Sequence, residues 1–247
     1  MIKFFRHIRQ RLIAESRFRK YVVYAIGEII LVVIGILIAL QINTWNSAHI
    51  QRGDERKILI ELKKGLALDQ QSMALELAIC EAAVEKMKRL QFLLEDKDYA
   101  YTIGLDSLFG QVYGIRKIFL NKAFYEDLKS SGLRIIDNDD IRLQIVQLFE
   151  DNYTELYDIF NFAEPSVNEV TRPYYLANFH DIDFKDLATP NNFNMVWNDS
   201  YYHNIVDYRI IGVTSNQVDS YKRTLPAIEK LINSINDYLK LESLDND

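Results

Sequence analysis

The stretch YVVYAIGEIILVVIGILIALQI, Tyr21–Ile42, decides how the rest of the chain is read. It holds 14 residues of Val, Ile or Leu and one formal charge, Glu28. As a helix it spans roughly 33 Å, against a bilayer core of about 30 Å. On insertion scales its aliphatic residues contribute on the order of −6 kcal/mol, and a central charge costs about 3 kcal/mol, so insertion wins despite Glu28. Protonation of Glu28 lowers that cost, because burial disfavours the ionised form. A buried helix of a soluble protein is rarely this uniformly apolar for this long. A cleaved signal peptide has a shorter apolar run and a small-residue cleavage site, neither of which is found here.

On the N-terminal side, residues 1–20 carry seven basic side chains (Lys3, Arg6, Arg9, Arg11, Arg17, Arg19, Lys20) against Glu15. The positive-inside rule then predicts a cytoplasmic N-terminus and an outer part that begins after Ile42. The arm reads as a basic amphipathic helix, with Ile2, Phe5, Ile8 and Leu12 on one face, lying on an anionic inner leaflet. Tyr21 and Trp45 suit the two membrane boundaries, with Arg17, Arg19 and Lys20 as cationic anchors. Glu28, Gly35 and Ala39 fall on one stripe at helical spacing. Two readings stay open: a helix-pairing seam that makes the protein a homo-oligomer, or ordinary span residues with Glu28 snorkelling toward the cytoplasmic side.

The whole chain has a net charge of −6; the arm contributes +6 and Glu28 −1, so residues 43–247 carry −11. That acidity argues against a nucleic-acid partner. A hydrophobic content of 49% argues against disorder in the roughly 200 outer residues, which suffice for one core. Nine Gly and four Pro are too few and too scattered for a sandwich or barrel. Cys80 is the only cysteine, which rules out an internal disulfide and marks it as a small core residue.

The run AIGEIILVVIGILIALQINTWN, preceded by IKFFRHIRQRL, resembles a family of short bacterial single-span proteins of unknown function. Its members share a basic arm and a GEI-x-LVV-x-GILIALQ-x-N-x-WN block. AFYEDLKSSGLRIIDNDDIRLQIVQLFEDNY resembles that family's second block, an x-YE-x-LK-x-SG segment followed by a helix. Thr44 stands where many members carry Asn. The resemblance implies a membrane location and a helical outer domain. It supplies no activity, substrate or catalytic residue.

The fold expected is all-α: a basic arm (1–20), a transmembrane helix (21–43) and an irregular antiparallel helical bundle (44–247). Leu59, Leu62, Leu66, Met73, Leu77, Cys80, Val84 and Met87 mark the buried face of a helix over Asp54–Leu94, broken only by Asp69. That face is broader than a coiled-coil seam, which favours packing within the domain over a parallel stalk. Gly53 alone weakens continuity with the span. Then come a loop over Glu95–Gly104, helices over Leu105–Tyr113 and Lys122–Ser131, a left-handed cap at Gly132, and an extended link over Ile135–Asp137. The next helix runs from Asp139 to about Phe162, capped by Asp137 or Asn138. Pro165 and Pro173 kink or end helices, and Glu169–Phe179 reads as an interrupted helix. His180–Asp199 is expected to be the least regular stretch. A final helical region reaches about Leu241, with Ile205, Tyr208, Ile211, Val218, Tyr221, Leu225, Ile228, Leu231, Ile232 and Ile235 buried and Pro226 a point of division.

DNDD (137–140) lacks the Gly and Glu of a calcium loop and reads as acidic residues at a helix start. HDID (180–183) offers His180, Asp181 and Asp183, which without a second cluster read as a solvated loop. No phosphate-binding, dinucleotide, zinc-protease, hydrolase-elbow or paired-cysteine motif is found. The sequence therefore predicts no enzyme, no cofactor and no metal. It predicts a scaffold or interaction protein in the bacterial cytoplasmic membrane, whose partners are the bilayer, other copies and an unidentified envelope protein. A ligand-binding sensor or accessory subunit is the alternative.

Overall fold

A computed structural model describes residues 18–183 and 186–244 of the chain. The basic arm and its apolar face (Ile2, Phe5, Ile8, Leu12) and Arg17 lie outside the described residues, as do the side chains of Arg19, Lys20 and Tyr21. The chain divides into two compact units, Met1–Glu55 and Arg56–Asp247.

The expected all-α class holds. Helix α1, Phe18–Leu93, runs without a break at Gly53. In the first unit its apolar residues face outward: Ile29, Leu31 and Leu37 are all more than half exposed, and the most apolar window of 18 residues buries none of its surface. By length and composition this helix, near the N-terminus, is sufficient to cross a membrane.

In the second unit the helical spacing read from Asp54–Leu94 becomes a core. Leu59, Leu62, Leu66, Met73, Cys80, Val84, Met87 and Leu90 are buried along one face of α1, as is Leu94 just beyond its end, with Leu77 packed at the edge of that face. Asp69 sits inside that face without breaking the helix. Its Oδ2 accepts from the Tyr153 hydroxyl at 2.9 Å and its Oδ1 from the Asn121 N–H at 3.0 Å.

Two short helices come next: α2, Asp106–Tyr113, behind a 3₁₀ turn at Ile103–Leu105, and α3, Ala123–Ser131. Gly132 ends α3 at φ +100°, as its lack of a Cβ permits, but its ψ of 116° is not that of the left-handed helix expected there. Leu133–Ile135 is a 3₁₀ turn, which shortens the predicted extended link to Ile136 and the residues after it. Asn138, rather than Asp137, caps α4, Asp139–Val146, by accepting the Ile141 N–H.

From Asp139 to Asn178 the chain stays helical in three α segments: α4; α5, Tyr153–Ser166; and α6, Arg172–Asn178. They are joined by π-helical turns at Gln147–Asn152 and Val167–Thr171. The predicted stop near Phe162 is therefore displaced. Pro165 is accommodated inside α5, and Pro173 sits in the first turn of α6, directly after the π turn.

The stretch expected to be least regular contains a hairpin. β1, Phe179–Asp183, pairs antiparallel with β2, Leu187–Pro190, in the register Phe179 to Pro190 and His180 to Thr189. The pairing is bulged, with Asp181 at φ +47°. Alternation is hard to read in its sequence because β1 buries only Phe179 on its inner side. The hairpin packs on α2, and it does so closely at Gly110: a Cβ there would collide with the Asp186 backbone carbonyl.

Helix α7, Phe193–Trp197, leads into α8, Ser200–Gly212, capped by Asp199. A π turn at Val213–Val218 joins α8 to α9, Asp219–Leu244, which continues through Pro226. This rod runs antiparallel to α1. Arg56 Nη1 meets the Leu239 carbonyl, Lys63 the Asn236 side chain, Lys222 pairs with Glu81, and Gln91 donates to Asp207. The antiparallel bundle expected from the sequence is thus built mainly on one long pair of rods.

Two of the expected buried residues in that rod are exposed: Tyr208 at 53% and Ile211 at 63%. The inward face of α8 is instead Tyr202, Ile205, Val206 and Arg209. The π turn adds a residue to the ladder, so the phase correct for α9 is wrong when extrapolated back into α8.

Candidate cleft at Arg209

The charged residue on the inward face of α8 organises a cleft. Arg209 retains 5% of its surface exposed. Its Nε donates to the Val112 carbonyl at 3.2 Å and its Nη2 to the Gly114 carbonyl. Those carbonyls lie at the C-terminal end of α2, where a helix leaves acceptors unpaired and favours a cation. Nη1 makes no hydrogen bond among the described residues, and no carboxylate there lies within ion-pair distance of the guanidinium. Burial lowers the pKa of Arg209 to about 10, still charged at neutral pH.

The cleft has a volume of about 430 Å³. Ile79, Cys80, Ala82, Ala83 and Lys86 of α1 form one wall. The end of α2, Ile115, Arg116 and Asp186 form the opposite side, and Val213 and Gln217 of the π turn close it. The π turn thus sets one wall of the cleft, in keeping with the frequent use of such turns at functional sites.

The other charged groups of this cleft are compensated. Arg116 binds Glu76 through two bonds, 2.8 and 3.0 Å. Lys86 Nζ lies 3.9 Å from Asp186, whose carboxylate also accepts from Gln111. Gln217 links the two walls: its Nε2 donates to the Arg116 carbonyl at 2.9 Å and its Oε1 receives the Cys80 thiol. Burial, reinforced by Glu76, pushes the Cys80 thiol up to about 11, so it is protonated and weakly nucleophilic at neutral pH.

Beside the cleft lies an aromatic cluster. The Tyr175 hydroxyl donates to the Phe109 carbonyl at 2.7 Å and contacts the Tyr202 hydroxyl at 3.0 Å. Phe179 stacks on Tyr175 at 4.2 Å between centroids. These side chains fill space between α2, α6, β1 and α8. Tyr175 and Tyr202 are core residues, while Tyr201 is exposed. Phe109, Tyr175, Phe179 and Tyr202 therefore pack the core beside the cleft.

The residues that the sequence singles out lie elsewhere. Glu28 is half-buried, Gly35 and Ala39 are exposed on the same helical stripe, and no atom lies within 4 Å of a Cβ built on Gly35. Trp45 is 67% exposed and stacks on His49. His180 bonds Asn191 in the hairpin, and among the described residues no group of acids, His and Cys is arranged to hold a metal. Arg209, Arg116 and Lys86 belong to no motif that marks them in the sequence. The available signal was Arg209 itself, the one charge in phase with Tyr202, Ile205 and Val206.

Fold and cleft together define a helical protein that joins a lipid-compatible apolar helix to a domain with a buried arginine at a cleft. The chain belongs to the family of unknown function DUF6090, whose profile matches residues 28–211. That match takes in most of the apolar segment and Arg209, and leaves out α9. Searches among curated proteins and among solved structures give no match.

Proposed function

We propose that this protein is a single-pass, non-enzymatic interaction or scaffold protein of the bacterial cell envelope. The N-terminus lies in the cytoplasm and the helical domain outside. The observation that carries the reading is the outward apolar surface of α1 between Val22 and Ile42, whose most apolar window is not buried among the described residues. Such a continuous apolar surface is costly in water and is stabilised in hydrocarbon. The +6 charge of residues 1–20 supports the orientation. Tethering raises the effective concentration of the domain for envelope partners and for other copies.

The test is extraction and topology together. The full-length chain is expected to stay with vesicles in alkaline carbonate. A phosphatase fused after Asp247 is expected to be active only when exported. Release by carbonate, or a fusion that is made but inactive, would overturn the proposal.

One observation favours a second reading, a ligand-binding accessory subunit acting through a partner: the cleft at Arg209. A buried cation without an anionic partner beside an open volume is an arrangement that a ligand completes.

A further inference from the structure

We propose that the Arg209 cleft binds a small organic acid, with the carboxylate on Arg209 and the hydrocarbon part against Ala82, Ala83 and Ile115. The inference rests on the ligand-binding reading and names its chemistry.

Charge selects the head group. Three cations line the cleft, and two already have carboxylates: Arg116 has Glu76, and Lys86 has Asp186. Arg209 is the most buried of the three and is held only by carbonyl oxygens. A desolvated cation gains most from an anion that it meets through a planar fork, and a carboxylate matches that fork. A single uncompensated charge suits a monocarboxylate better than a dianion. An amine would meet Arg209 as a like charge.

Shape selects the rest. About 430 Å³ falls within the range of small-molecule pockets. The α1 part of the lining includes Ile79, Ala82 and Ala83; the two alanines leave room, and none of the three side chains offers a hydrogen bond. A neutral alcohol would fill the same space and leave Arg209 uncompensated, and inorganic phosphate would leave the apolar wall wet.

The test uses the full chain in lipid nanodiscs and ligand-observed NMR. The probes are straight-chain monocarboxylates from propionate to hexanoate, butanol, butylamine and inorganic phosphate. A monocarboxylate is expected to bind at least tenfold more tightly than butanol or phosphate, with no signal for the amine. Ala83→Phe fills the cleft from a half-exposed position without touching Arg209, and is expected to weaken binding at least tenfold with an unchanged circular dichroism spectrum. Arg209→Lys keeps the charge but loses the fork, and is expected to be intermediate. Butanol or phosphate binding as tightly as the acids would overturn the assignment of ligand class and leave the ligand-binding reading standing. Binding untouched by Ala83→Phe would overturn the location. Silence from all the probes would overturn the inference together with the reading under it.

Discussion

Arg209 of α8 closes the C-terminal end of α2 through its 3.2 Å bond to the Val112 carbonyl. A buried side chain from one helix thus supplies the donors that another helix lacks at its end. Arg209→Met keeps most of the volume and removes both donors, leaving the Val112 and Gly114 carbonyls unpaired. The expected loss is about 2 kcal/mol, moderated by release from burying a cation. Arg209→Lys is expected to recover part of it. Urea melts followed by circular dichroism would read both, and a Met variant as stable as the parent would remove the capping role.

Asp69 and Tyr153 form a buried pair between α1 and α5. Burial raises the Asp69 pKa, opposed by its bonds from Asn121 and Tyr153. A carboxyl raised in the folded state contributes stability at low pH that is lost as pH rises through the folded value. Tyr153→Phe removes a bond that favours the ionised form, and should cost about 1–3 kcal/mol at neutral pH. The penalty should shrink as pH falls and Asp69 takes up its proton, at a pKa that burial places above the ordinary carboxyl value of 3.8. A penalty independent of pH would contradict the pairing.

Gly110 makes room for the Asp186 carbonyl at the turn of the hairpin. Gly110→Ala should cost about 1–3 kcal/mol, because the obstacle is backbone and has no rotamer to retreat into. Gly114→Ala is the control: its φ is −104° and no atom lies within 4 Å of an added Cβ, so it should be near neutral. Thermal melts of the two variants side by side decide the point.

Cys80 has a thiol pKa pushed from an ordinary 9.0 up to about 11, chiefly by burial. In the native protein its reaction with a disulfide reagent at neutral pH should be about a hundredfold slower than in urea. The raised value sets the sign for stability: the contribution is complete below pH 9.0 and is lost as pH passes about 11. Burial raises Tyr153, Tyr175 and Tyr202 in the same sense. The share of tyrosinate absorbance that belongs to these three should therefore rise only with alkaline unfolding; all 15 tyrosines titrating before the helical signal is lost would be inconsistent with this burial.

Gly35 lies on the stripe with Glu28 and Ala39, and its helix has open space for a larger side chain. If the stripe is where two copies meet, Gly35→Ile should lower self-association of the isolated span several-fold in a membrane reporter assay, because close approach needs small residues. Unchanged association would remove the pairing role.

The apolar run, the α class and the buried face of α1 from Leu59 to Met87 are legible in the sequence, because each rests on local composition or on a single uninterrupted period. The three π turns, the bulged hairpin and the burial of Arg209 were decided only by the tertiary structure. A π turn shifts the helical phase without an obvious residue signature, and so periodicity alone puts Tyr208 and Ile211 on the wrong face. β1 shows almost no alternation because its outer side is solvated. Arg209 is tolerated inside because the end of α2, distant in the chain, presents two carbonyls to it. Sequence periodicity reports what a segment buries; only packing reports which distant group makes the burial of a charge tolerable.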